Sequence, residues 1–162
     1  MTKKIFILFL IFASIAGCTR DDICEEGIAT TPLLIITFND IVEPNQRKAV
    51  PSLTVETVET NSTQVISATT TDSIAIPLRN TGLQTIYRFK NGVGTAAPNT
   101  DVITFNYTTE DIYINRACAF KTVYHDLNAR VQDEGSANWI LQFEIETTDV
   151  IDETETHITI FH

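Results

Sequence analysis

Few side chains in this sequence could do chemistry, and they are scattered. The only histidines are His125, His157 and His162. A hydrolase needs a nucleophile, a base and a group that orients the base, all within hydrogen-bond reach. No G-x-S-x-G is present to supply a nucleophile elbow. His157 and His162 lie five apart on an expected strand, and odd spacing there sends side chains to opposite faces. They cannot share a metal within that strand, and they read as edge or surface histidines. Glu144 and Glu146 share one strand face about 6–7 Å apart, a spacing that glycoside hydrolysis can use. Alternating acids on a strand read first, however, as a wet face. Asp149, Asp152, Glu153 and Glu155 crowd the turn before the last expected strand. Calcium takes several oxygens from one loop, but this spacing matches no EF-hand, and a solvated hairpin turn is the expectation. Zinc needs more ligands than two distant thiols and three scattered histidines provide. No catalytic residue, metal or cofactor is therefore expected, and the protein reads as a non-enzyme.

The cysteines are more informative. Lys3 and Lys4 precede an apolar run from Ile5 to Ala16, broken only by Ser14. Twelve helical residues at about 1.5 Å each reach roughly 18 Å, well short of the bilayer core of about 30 Å. A secretory signal peptide fits this better than a membrane span. It ends in Ile15-Ala16-Gly17-Cys18, which resembles a bacterial lipobox: Ala16 and Gly17 admit the protease, and the Cys18 thiol takes the lipid. Two or three acyl chains at about 0.8 kcal/mol per buried CH₂ anchor a chain stably, whereas one does not. Thr19-Arg20-Asp21-Asp22 resembles the acidic tag that sends lipoproteins to the cell surface in Bacteroidetes, the periplasmic leaflet being the alternative. The expected location is thus the outer membrane, on its surface or periplasmic face, with the lipid on Cys18 as membrane contact. Cys24 and Cys118 remain, and an even pair in an exported chain reads as a disulfide. It would tie the N-terminal tether to a late strand, and chain entropy assigns about 4–5 kcal/mol to a loop of that size. Two free thiols are the alternative.

The elements that must position these groups are strands. The chain of 162 residues has 11 basic and 21 acidic side chains, a formal charge of −10, with 43% hydrophobic residues. That is enough apolar content for one globular domain, and the acidity argues against nucleic acid, whose phosphates are neutralised by Lys and Arg. Loss of residues 1–17 removes two lysines and no acids, leaving a formal −12, which should hold the domain off anionic lipid. Period-two alternation marks Ile74-Ile76-Leu78, Tyr87-Phe89, Ile103-Phe105-Tyr107, Trp139-Leu141-Phe143-Ile145 and Ile158-Ile160. Further strands are expected at 33–38, 53–58, 64–68, 111–115 and 119–125, about ten in all. Turn signals such as Asn80-Thr81-Gly82, Asn91-Gly92 and Glu134-Gly135 separate them. Many short amphipathic strands pack as two antiparallel sheets. The expected fold is an all-β, immunoglobulin-like antiparallel sandwich, with a closed barrel as the alternative. The chain divides into a signal peptide (1–17), a lipidated tether (18–31) and a sandwich domain (32–162). Trp139 and most Phe and Tyr fall on core faces, so a sugar-stacking platform has little support. Tyr113 and Tyr124 are exceptions, with core or edge packing the expectation for both.

Asp72-Ser73-Ile74 resembles the Asp-Ser/Thr-apolar tripeptide that exported Bacteroidetes proteins use for O-glycosylation, which makes Ser73 a candidate acceptor, although the same residues suit a strand start. The sequons Asn61-Ser62-Thr63 and Asn106-Tyr107-Thr108 read as accidental. With the lipobox, Asp22-Ile23-Cys24, Thr71–Leu78, Thr104-Phe105-Asn106-Tyr107 and Ile114-Asn115-Arg116-Ala117-Cys118 in view, the chain resembles an uncharacterised family of small Bacteroidetes lipoproteins, a family of unknown function. The likeness covers nearly all of the mature chain. It implies a disulfide and no catalytic residues. It also implies Gly after the second structural cysteine, where this chain has Ala119, so positive φ is not expected there. The functional expectation is an accessory module that binds a protein partner at the cell envelope through a sheet face or edge strand. The alternative is a lipoprotein that binds a small ligand or polysaccharide in a pocket.

Overall fold

The computed structural model describes residues 23–25, 27 and 30–162. The signal peptide and Cys18 lie outside the described residues. Among the described residues nine strands form: β1 (Leu34–Asn39), β2 (Val50–Thr57), β3 (Gln64–Thr71), β4 (Ser73–Ile76), β5 (Gln84–Asn91), β6 (Asn99–Asn115), β7 (Ala119–Val131), β8 (Gln142–Ile145) and β9 (Ile158–Phe161). They make a four-stranded sheet in the order β4-β1-β9-β8 and a five-stranded sheet in the order β3-β2-β5-β6-β7. The sheets pack face to face as a sandwich, and no closed barrel forms. The expected stretches around Ile103 and Asp111 are one continuous strand, which accounts for nine strands rather than ten.

Alternation does its work where it was expected. Leu34, Ile36 and Phe38 of β1, Ile74 and Ile76 of β4, Tyr87 and Phe89 of β5, and Ile103, Phe105 and Tyr107 of β6 are all buried between the sheets. Burying such side chains contributes roughly 1.5–3 kcal/mol each. β1 and β9 pair in parallel, Ile36 opposite Ile158 and Phe38 opposite Ile160, and together they occupy the centre of the smaller sheet.

Two stretches depart from the pattern. The alternation from Trp139 to Ile145 is broken: Leu141 is 60% exposed while Ile140 is buried. The Ile140 N–H donates to the fully buried Asp101 carboxylate at 2.8 Å, which turns that residue inward, and β8 begins only at Gln142. Along β9, His157 and Thr159 were expected on a wet face but are buried, like Ile158 and Ile160. Their polar atoms are satisfied internally, as buried polar groups must be. Thr159 Oγ1 donates to Glu146 at 2.6 Å, which leaves it to accept from Thr37 Oγ1 at 3.2 Å across the parallel pair.

Candidate functional site

The longest strand sets up the most exposed feature. β6 pairs with β5 only between Asn99 and Asn106. Beyond that point its strand partner among the described residues is β7, out to Asn115 opposite Ala119. The result is a two-stranded arm that overhangs the larger sheet. It leaves the sheet at a bulge between Asn106 and Thr108, facing Asp126 at φ +56°, where a strand bends and twists more sharply. A two-stranded ribbon is marginal alone in water, and this one is braced along its length. Thr122 Oγ1 donates to Asp111 at 2.7 Å across the arm. The Thr122 N–H donates to Thr31 Oγ1 at 3.0 Å, so the N-terminal segment runs alongside. Finally, Cys24 is bonded to Cys118, with Cα atoms 4.8 Å apart, within the range disulfides require.

Cys118 sits in the turn at the tip rather than on a late strand, so the staple holds the far end of the arm. The Cys118 N–H donates to Asn115 Oδ1 at 2.7 Å, closing that turn. Ala119 has φ +57°, so the left-handed conformation that the glycine-lacking sequence argued against is present. The turn and the disulfide together impose it on a residue with a Cβ, at a cost of about 1–2 kcal/mol. Tyr113 and Phe120 face each other across the strands with ring centroids 5.3 Å apart, yet they are 56% and 61% exposed. Tyr113 is therefore a surface aromatic, contrary to the packing expected of it. Tyr124 is fully buried, as expected.

Tyr124 belongs to a second construction that sequence periodicity could not show. Tyr87 of β5, Tyr107 of β6 and Tyr124 of β7 donate across the sandwich to three successive carbonyls after β4: Pro77 at 2.7 Å, Arg79 at 2.8 Å and Leu78 at 3.0 Å. Thr85 Oγ1 accepts the Arg79 N–H and so donates to the Tyr107 oxygen at 2.5 Å. Burial holds all three phenols above their ordinary value, Tyr87 and Tyr124 up to about 12. Beside them, Thr57, Glu59, Pro77, Arg79, Gln84 and Tyr87 line an open cleft of about 370 Å³. The Arg79–Glu59 ion pair lies among its walls. The signal that could have found this construction is three tyrosines on core faces, each carrying an O–H that needs an acceptor.

The histidines are structural, and the edge or surface reading of two of them is overturned. His157 is 1% exposed and accepts the Ile35 N–H at Nδ1, 2.9 Å away. Burial lowers its pKa, which keeps it neutral for that role. His162 is half-buried against Phe38 and Trp139, and its Nε2–H donates to the Lys48 carbonyl at 3.1 Å. His125 bridges Asp149 at 2.7 Å and Glu110 at 3.1 Å, and its pKa is raised chiefly by the Asp149 bond. The acids before β9 diverge rather than converge: Glu153 accepts the Leu33 N–H, and Asp152 bonds Thr154. Among the described residues no group of three His, Cys, Asp or Glu side chains is placed to hold a metal ion. Glu144 and Glu146 are both exposed, and Glu146 is bonded by Thr159.

The two long sides of the sandwich differ. Along the β7 side, Tyr124 and Val150 exchange backbone hydrogen bonds of 3.1 and 2.8 Å, and the Leu127 N–H donates to Thr148. The 148–150 segment thus covers part of that edge, and His125 holds it through Asp149. On the opposite side β3 and β4 are both edge strands, and no strand lies outside them among the described residues. From Gln64 to Leu78 that side carries a single charge, Asp72. Ser73 is exposed on β4, opposite Thr37, with its carbonyl accepting from Thr71 Oγ1 at 2.7 Å. Register shifts along the β2–β3 pairing twist this edge.

Comparison with curated proteins and with solved structures found no match. A family model does match, over residues 52–162, which take in every strand from β3 to β9 and most of β2. The chain belongs to that family, the family of unknown function DUF6452.

Proposed function

We propose that this protein is a lipid-anchored accessory module of the outer membrane of a Bacteroidetes bacterium, held by acyl chains on Cys18, and that it binds a protein partner by strand addition. The anchor reading rests on the ordered signal regions and Ile15-Ala16-Gly17-Cys18. The partner reading is carried by one observation, the uncharged edge formed by β3 and β4. Proteins ordinarily blunt exposed edges with charge, proline, cover or bulges, and of these β3 has the register shifts of its pairing with β2. Here Gln64–Thr71 has neither charge nor proline, while on the opposite side of the sandwich the 148–150 segment covers part of the β7 edge. An extended segment adding to β3 would gain main-chain hydrogen bonds, and the edge's twist would restrict which segment fits. Ser73 stands at the end of this edge, where a glycan would limit access to it. The histidines and acids serve as hydrogen-bond partners within the fold, in keeping with a non-enzymatic role.

The test is a photo-crosslinking side chain in place of Ala68, introduced in cells that make the full chain. One discrete adduct, lost when Ser67→Lys is added without change in folding, supports strand addition. Adducts only from positions on other faces would overturn it. A second reading, small-ligand binding, is favoured by the cleft beside Tyr87. Its volume of about 370 Å³ falls within the range of ligand pockets, and thermal stabilisation by a ligand that Arg79→Ala abolishes would move this reading to the front.

A further inference from the structure

The tip of the β6–β7 arm has surface chemistry unlike the rest of the molecule. Tyr113 and Phe120 form an exposed aromatic pair, and Ile23 beside the staple is 77% exposed. From Ile112 to Lys121 the chain has two basic residues, Arg116 and Lys121, and no acid, within a protein of formal charge −10. Adjoining exposed apolar side chains signal a contact surface, and aromatic rings flanked by basic side chains are what the interface between lipid and water favours.

The disulfide decides which surface this is. Cys24 is bonded to Cys118 at the tip, and Cys18 stands six residues before Cys24. Six residues at full extension span about 20 Å. A lipid on Cys18 therefore keeps the tip within about 20 Å of the bilayer, whatever the rest of the domain does. Without the staple, the first tie between the N-terminal segment and the arm would be Thr31, thirteen residues from the anchor, and the tip itself would be unrestrained.

We propose that the arm's tip is the membrane-proximal end of the domain and seats the Tyr113–Phe120 pair in the head-group region of a phospholipid surface. This rests on the lipid anchor proposed above and adds the orientation of the domain upon it. The rings supply the apolar contact, while Asp21, Asp22, Glu25 and Glu26 in the tether oppose anionic lipid, so the surface the tip suits is a zwitterionic one. The β5–β6 turn, at the other end of β6, then lies farthest from the membrane, since seventeen strand residues extend about 55 Å.

The test uses the full chain, processed in its own membrane and reconstituted into phosphatidylcholine vesicles with brominated acyl chains, which quench tryptophan on contact. Phe120→Trp places a reporter at the tip and Val93→Trp places one in the β5–β6 turn. Both are read against the parent, whose single Trp139 is half-buried. The expected result is that the Phe120→Trp signal loses most of its added emission and the Val93→Trp signal keeps its own. If the vesicles float with acylated protein but neither reporter is quenched, or both equally, the anchor stands and the orientation falls. If the purified chain carries no acyl mass and does not float, both readings fall.

Discussion

The body of the sandwich and the arm that overhangs it are built from the same kind of strand but held by different means. In the body, twenty or so apolar side chains interlock, and three tyrosines donate across the sandwich to Pro77, Leu78 and Arg79. At the tip of the arm, Tyr113 and Phe120 are exposed, and a covalent bond to Cys24 stands where a core would be. A ribbon that must present its apolar residues outward cannot also use them for stability. The lesson of the contrast is that an exposed functional surface needs its rigidity from elsewhere.

The largest break of this contrast is in the body. Phe38→Ala, at a fully buried ring stacked 6.4 Å from Trp139, should cost about 3–5 kcal/mol in urea unfolding and release amides of both sheets together. A loss confined to β1 would instead mean that the sheets are not one cooperative unit. Next comes the arm: replacing Cys24 and Cys118 together by Ser should cost about 2–4 kcal/mol. Hydrogen exchange should then rise first between Thr108 and Thr122, with β1 and β5 protected until global unfolding. A uniform rise would erase the distinction between arm and body.

The third prediction concerns pH. The folded chain holds Tyr87 and Tyr124 protonated up to about 12, whereas an unfolded tyrosine releases its proton near 10. The stability they contribute is therefore complete below pH 10 and is lost as pH rises from 10 towards 12. Tyr124→Phe should cost about 1–2 kcal/mol at neutral pH, since the buried Leu78 carbonyl loses its donor, and it should flatten the alkaline decline. An unchanged alkaline slope would show that the phenols do not carry it. The smallest effect sharpens the arm. Ala119→Gly should stabilise by about 1 kcal/mol by removing the left-handed strain, and a destabilised variant would show that the turn does not hold that conformation in solution.

The sequence was readable where side-chain burial repeats with the strand. Ile74-Ile76-Leu78 and Ile103-Phe105-Tyr107 declare their strands by apolar alternation, and enough such strands imply a sandwich. It misled where one hydrogen bond outweighed the period. Asp101 draws in the Ile140 N–H and leaves Leu141 outside, and Ile35 and Glu146 satisfy His157 and Thr159 so that both can be buried. The parallel pairing of β1 with β9 joins residues some 120 positions apart, a separation about which local pattern is silent. At the candidate site the two cysteines were readable by count. The position of Cys118 in a tip and the exposure of Tyr113 depend on where β5 stops pairing with β6, a matter of relative strand length across the sheet.

The central claim is that a lipid on Cys18 and a staple from Cys24 to Cys118 together set how this domain meets the membrane. Intact mass spectrometry of the full chain from its own membrane, alkylated before and after reduction, tests it most directly. The account predicts a chain that starts at Cys18 and carries acyl groups, with no alkylated cysteine until reduction exposes two. A chain that retains residues 1–17, lacks acyl mass, or shows two reactive thiols while folded would contradict it.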